Sequence, residues 1–256
     1  MNDSIDLNAD LGEDEGEEAI ARDLAMMDIV SSCNIACGGH AGSMALMKRM
    51  LVAAKEKAVS AGAHPSYPDR ENFGRLSVDI SDADLEKSLQ SQLQAVKTAA
   101  TESAMQLHHI KPHGALYNDA QDQEHLADIL VKLAISERLP LVGMPHSVLQ
   151  RKAETASVRF IAEAFIDRQY TDNSRLVSRT ESGAVIGEDA DRLKQGVALA
   201  MNEPIISNEG NAIHVSAQTL CLHSDSNGAL QTAKAMRKKL ERVGIRIEPV
   251  SYGPGE

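Results

Sequence analysis

The chain has 256 residues, 43% of them hydrophobic, with no tryptophan and only 3% aromatic content, so Ala, Leu, Ile, Val and Met must fill its core. Its formal charge of −11 and pI near 5.3 argue against nucleic acid as a partner, because neutralising phosphates takes clustered Lys and Arg. No apolar run approaches the ~18 residues of a membrane span, and the acidic start Met-Asn-Asp-Ser-Ile-Asp lacks the apolar stretch of a secretory leader. Cys33, Cys37 and Cys221 make no even disulfide framework and too few ligands for structural zinc, so reduced thiols and a cytoplasmic location are expected.

Short apolar runs predict strands starting near Ile5, Val30, Val59, Leu107, Leu139, Val158, Ala212 and Ile245. Amphipathic stretches lie between them. Met44, Met47, Leu51, Ala54 and Ala58 make a one-faced helical stripe, and Leu85, Leu89, Leu93 and Val96 make another. Ser81 and Asp84 form a capping pair for the second. Further helices are expected over 123–137, 189–201 and 227–243. Strand–helix alternation with few hairpin signals implies parallel strands joined by crossovers. The expected fold is α/β: one TIM-like β/α barrel of seven or eight parallel strands, a single domain over 1–256. A doubly wound open sheet is the alternative.

In such barrels functional residues gather at the C-terminal strand ends. Asp10, His40, His64, Lys111, His113 and Glu163 all fall at or just past these ends. Asp6, Asn8 and Asp10 alternate along the first strand and share one face. Three polar side chains inside a barrel are costly unless they line a wet or metal-bearing pocket. His40 follows Gly38-Gly39, and a helix starting near Ser43 would point free N–H groups at the same pocket, as suits an anion. His64 opens a proline-stiffened loop through Tyr67 to Phe73, which reads as a substrate cover. Lys111-Pro-His113 is the densest cluster. Its lysine can steady an oxyanion, and its histidine can move protons or ligate a metal. His108 and His109 face opposite sides of their strand, so at most one lines the interior. Glu163, Asp167, Arg168 and Tyr170 form a polar group that binds substrate or builds an ion-paired rim. His223 is a further candidate for the pocket.

Together the segments DLNADLGE (6–13), NIACGGHAG (34–42), GAHPSYPD (62–69), KPHGALYN (111–118) and EAFIDRQY (163–170) resemble the LamB/YcsF family of 5-oxoprolinase A subunits. The resemblance implies a β/α barrel akin to glycoside hydrolases and polysaccharide deacetylases. It also implies ATP-dependent opening of the 5-oxoproline lactam to L-glutamate, with B and C subunits supplying the ATP-dependent activation. The chain has no Gly-x-x-x-x-Gly-Lys-Ser/Thr loop, which fits that division of labour. It departs from the family pattern at Gly39 (commonly Phe), Ser43 (commonly Asp), Ser66 (commonly Gly), Asp14-Glu15 (Gly/Phe-like) and Ser224 (commonly Gly).

The resulting assignment makes Asp10, His64, Lys111 and His113 catalytic. Asn8, Asn34, His40, Tyr67, Glu163 and Arg168 are the expected substrate contacts. A divalent metal is an open question, with Asp10, His64 and His113 as its candidate ligands. The rival readings are a divalent-metal deacetylase of N-acetyl sugars, working without ATP, and a non-catalytic substrate-binding subunit.

Overall fold

The computed structural model describes residues 3–222 and 228–251. His223 and Ser224 lie outside the described residues, as does the start of the helix expected from 227. Strand β1 (Ser4–Leu11) sets the plan of the molecule. Ile5, Leu7, Ala9 and Leu11 are buried in the helix-covered hydrophobic core, while Asp6, Asn8 and Asp10 take the other face, as a period of two requires.

Six strands run in the order β3-β2-β1-β8-β5-β4, all parallel: β3 (Ser60–His64), β2 (Ser32–Ala36), β1, β8 (Thr219–Cys221), β5 (Phe160–Phe165) and β4 (Leu141–Gly143). The gap between β3 and β4 is closed by the stretch around Ile110, which bridges Ala63 on one side and Leu141 on the other. His108 N and Lys111 N donate to Ala61 O and Ala63 O, and Ile110 N donates to Pro140 O. The wall is therefore a closed ring of seven strands. An eighth is excluded because β8 pairs directly with both β1 and β5.

Two expected strands stand elsewhere. Ala212 belongs to β7 (Ala212–Ile213), which pairs antiparallel with β6 (Ile205–Ile206) outside the ring. Ile245 precedes β9 (Arg246–Ile247), which touches only the first residues of β1. The seventh barrel strand is β8, whose three residues are too short to stand out in the sequence.

The helices are α1 (Glu17–Met26), α2 (Met44–Glu56), α3 (Asp82–Glu102), α4 (Gly114–Asp119), α5 (Glu124–Glu137), α6 (Val148–Thr155), α7 (Asp189–Ala200) and α8 (Ala229–Arg242). Leu85, Leu89, Leu93 and Val96 bury the inner face of α3, and Asp84 N donates to Ser81 Oγ at its start. On α2 the buried stripe runs through Met47, Met50, Leu51 and Ala54, whereas Met44, the first helical residue, is exposed. No helix among the described residues is long and apolar enough to cross a membrane.

The barrel interior is polar. Asp6 accepts from the hydroxyls of Ser31, Ser32 and Thr219, each at 2.6 Å. One layer up, Asn8 Nδ2 donates to Thr219 Oγ1 at 2.7 Å and to Glu163 Oε1 at 2.9 Å. Asn34 Nδ2 donates to Asn8 Oδ1 at 2.8 Å, and His109 Nε2 donates to Asn34 Oδ1 at 2.6 Å. His109 is thus the interior histidine of its pair, and His108 is exposed. Each buried polar atom in this stack finds a partner on a neighbouring strand, which offsets its desolvation.

The His109 ring also explains Gly62. Any Cβ at residue 62 would collide with that ring. Gly62→Ala should therefore destabilise the fold by about 2–3 kcal/mol through overpacking, read as a lower urea midpoint. In a His109→Ala background the same change should cost little, because the clashing ring is gone.

Candidate active site

A cleft of about 630 Å³ opens where Asp10 and His64 end their strands, the end at which β/α barrels place their chemistry. Asp10, Glu13, His64, Lys111 and His113 line it, with an apolar stretch from Tyr117, Met144, Phe165 and Leu176.

Lys111 is 2% exposed and carries its ammonium into the barrel mouth. Its Nζ lies 2.8 Å from Glu163 Oε1 and 2.9 Å from Asp10 Oδ1, and it also donates to Asn8 Oδ1 at 3.2 Å. Burial works against its charge, but Asp10, Cys221 and Glu163 outweigh it and hold the lysine well above its usual pKa. For Asp10, burial favours the neutral acid. The charges of His64 and Lys111, and their hydrogen bonds, overcome that and hold the carboxyl well below its usual range. Asn34 Nδ2 donates to the same Asp10 oxygen at 2.7 Å. The result is an ionised carboxylate on the cleft wall beside a permanently charged lysine.

Above this pair sit three histidines and a second carboxylate. Glu13 Oε1 lies 3.1 Å from His40 Nε2, 3.3 Å from His113 Nδ1 and 4.0 Å from His64 Nε2. His64 Nε2 and His113 Nδ1 are 3.0 Å apart, and His40 stacks on His113 with centroids 3.7 Å apart. The tautomers follow from the outer contacts. His64 Nδ1 meets Lys111 O at 2.7 Å and His113 Nε2 meets Phe73 O at 2.9 Å, so both of these nitrogens donate. In the neutral rings the nitrogens facing inward then carry lone pairs. Burial and the neighbouring histidines push His113 down to about 3 and His40 down to about 2, so both rings are neutral at pH 7.

Lone pairs that converge at 3.0 Å need a cation or a proton between them. The four ligand atoms of Glu13, His40, His64 and His113 all lie within 4.8 Å of one another. Tetrahedral ligands at about 2.1 Å from a zinc-like ion stand roughly 3.4 Å apart, near the separations seen here. Three imidazole nitrogens and one carboxylate suit a borderline divalent metal. His40 Nδ1 is buried without a partner, so this ring is held by its other nitrogen alone. The donor set therefore fits a divalent metal, with Glu13 and His40 in place of the expected Asp10. Asp10 Oδ2 remains 3.3 Å from His64 Nε2, directly beside the cluster.

The structure places the remaining expected contacts as follows. Asn8, Asn34 and Glu163 lie beneath the cleft, where they bind Lys111 and Asp10 rather than line the opening. Tyr67 is buried behind its loop, donates to Asp119 Oδ2 at 3.0 Å and does not line the cleft. Arg168 does line it, but its Nε and Nη2 donate to Ala184 O and Val177 O. His40 belongs to the histidine cluster. The start of α2 is capped by Ser43 Oγ, which accepts from Leu46 N, and no residue of α2 lines the cleft. Glu13 does not stand out in the sequence, because its role depends on three histidines from distant segments. Its only local signal is a carboxylate just past a strand end and a glycine.

The arrangement defines a β/α-barrel site of hydrolytic type, a carboxylate–lysine pair next to a metal-compatible histidine cluster. The LamB/YcsF family model matches residues 5–253, and the chain belongs to that family. The chain is 41% identical over 247 residues to the 5-oxoprolinase A subunit of Paracidovorax citrulli, covering 96% of this chain and 98% of the relative. It is 41% identical over 248 residues to a 5-oxoprolinase A subunit of Agrobacterium fabrum, covering 95% and 96%. The crystal structure of a lactam utilization protein from Thermus thermophilus superposes with a TM-score of 0.88 at 33% identity, covering 96% of this chain and 99% of that one.

Lys111→Met should cost about 3–5 kcal/mol of folding stability, because it leaves the fully buried Glu163 without its counter-charge. Thermal or urea denaturation reads this directly. Adding Glu163→Gln in the same chain should recover most of the loss, since the stranded charge is removed.

Proposed function

We propose that this chain is the lactam-opening component of an ATP-dependent 5-oxoprolinase, its A subunit, hydrolysing 5-oxo-L-proline to L-glutamate together with B and C subunits in the cytoplasm. The observation that carries the reading is the Asp10–Lys111 pair, 2.9 Å apart on the wall of a cleft with an apolar side of ring size. Family membership and the relatives named for this activity supply the substrate.

An unstrained lactam is a poor electrophile because amide resonance feeds its carbonyl. Phosphorylation of the carbonyl oxygen by the ATP-using partners would remove that resonance and create a leaving group. Asp10 then takes a proton from the attacking water and later returns it to the ring nitrogen as the C–N bond breaks. Its depressed pKa keeps it ionised at neutral pH, ready to accept. Lys111 supplies positive charge where the carbonyl oxygen turns anionic. Asn8, Asn34 and Glu163 hold these two side chains in register from below. Glu13, His40, His64 and His113 would hold a divalent metal, which when bound lowers the pKa of a water and polarises a carbonyl. Tyr117, kept neutral by burial and by Glu163, offers a hydroxyl in the same cleft.

The histidine cluster also favours a second reading, an ATP-independent metal deacetylase of N-acetyl sugars. Glutamate release from 5-oxoproline by the reconstituted assembly, with and without ATP, separates the two. ATP-dependent release by the wild-type chain with its partners is expected. Asp10→Asn should lower that turnover by at least about 10³-fold with the fold intact. Turnover that survives both Asp10→Asn and His113→Ala would identify a non-catalytic component, and acetate release without ATP would favour the deacetylase. Chelator-stripped protein should also regain stability on adding Zn²⁺, by about 4 kcal/mol at 1,000 times the dissociation constant. Glu13→Gln with His40→Ala should abolish that gain in a thermal melt.

A further inference from the structure

Four of the fourteen arginines of this acidic chain line one cleft: Arg75, Arg168, Arg175 and Arg179. None has a part in the water-activating chemistry above. Arg168 and Arg175 are committed to structure. Arg168 donates to Ala184 O and Val177 O, and its backbone bridges Val185 while Tyr170 bridges Leu176. These contacts pin the 167–186 excursion. Arg175 Nε and Nη2 bind Asp122 Oδ1 at 3.1 and 3.0 Å, and its Nη1 is buried without a partner.

Arg179 and Arg75 are exposed on the two sides of this framework. Arg179 sits close enough to Arg168 that, after burial, it is the main influence lowering the Arg168 pKa. Holding two guanidiniums this near one another is unfavourable and is repaid when an anion joins them. Arg75 lies with its Cζ 4.9 Å from the centroid of the Phe73 ring, and that ring packs edge-on to His113 at 5.4 Å. A group held by Arg75 would therefore sit beside the histidine cluster. Planar guanidinium forks match carboxylate and phosphate oxygens in pairs.

We propose that Arg75 and Arg179 hold an anionic group of the substrate, a carboxylate or a phosphoryl group, and that Arg168 and Arg175 are positioning residues for the strap that carries Arg179. The inference rests on the lactam reading: the ring would lie on the apolar side formed by Met144, Phe165 and Leu176, and its charged substituent would reach the arginines.

Calorimetric titration of the whole chain tests it with three probes: 5-oxo-L-proline, its neutral carboxamide, and inorganic phosphate. The acid should bind at least about tenfold more tightly than the carboxamide. Arg179→Gln and Arg75→Gln should each weaken the acid about tenfold and leave the carboxamide unchanged, whereas Arg151→Gln, a surface control, should change neither. Phosphate that competes with the acid would assign the arginines to a phosphoryl group, and phosphate that does not would assign them to the carboxylate. Equal binding of acid and carboxamide, or acid binding untouched by both arginine variants, would overturn the inference while leaving lactam turnover standing. If neither lactam binds but phosphate binds and is lost in Arg179→Gln, the lactam reading falls and the anion site stands. If no probe binds, both fall.

Discussion

A lysine ammonium inside a barrel is the constraint from which much of this structure follows. Burying such a charge costs several kcal/mol unless it is paired and hydrogen-bonded. Lys111 meets that cost with Glu163, Asp10 and Asn8. Each of those partners then has needs of its own. Asn8 must find Asn34 and Thr219, Asn34 must find His109, and Thr219 passes its hydroxyl hydrogen to Asp6. The polar stack runs down the barrel axis because one charge at the mouth requires it. Even Gly62, one strand away, is fixed by the ring that closes this run of hydrogen bonds.

The histidine cluster obeys a different rule. Two of its members, His64 and His113, are oriented from outside by backbone carbonyls, so their inward nitrogens are left as acceptors. That makes the cluster a cation site by construction, while Lys111 makes the layer below it an anion-stabilising site. His64 joins the two, with one nitrogen on the carbonyl of Lys111 itself and the other 3.3 Å from Asp10. The Lys111 backbone thus orients a histidine while its side chain holds Asp10. A shift in this one residue would disturb both halves of the site.

What is legible in the sequence is what depends on local periodicity. The alternation of Asp6, Asn8 and Asp10 announces a polar barrel interior, and histidines set among Gly and Pro past apolar runs announce the strand ends. The stripes on α2 and α3 are legible for the same reason. What is not legible depends on distant segments. Glu13 becomes a cluster member only when three other loops arrive. Tyr67 reads as a substrate cover because aromatics in stiff loops often are, yet its hydroxyl is spent on Asp119. Asn8, Asn34 and Glu163 look like substrate contacts because they are polar and stand near strand ends; only packing reveals that they support Lys111 and Asp10 from below. The short strand β8 is lost beside the more apolar Ala212 hairpin, because three residues carry too little pattern to compete.

The departures from the family pattern also take on a physical meaning. A side chain at Gly39 would collide with Gln92 and Ser66. Those two are themselves joined, since Ser66 N donates to Gln92 Oε1 at 2.9 Å and Gln92 Nε2 donates to Ser66 O at 2.8 Å. A small residue at 39 and a larger one at 66 therefore fill one space from opposite sides, immediately behind His40. Ser43 keeps the helix-capping task that an aspartate would perform there, and Asp14 accepts from Gly16 N ahead of α1. None of these four residues lines the cleft. The changes act on how His40 is backed and how two helices begin, and they leave the surface that faces a substrate to Asp10, Lys111, the histidines and the arginines.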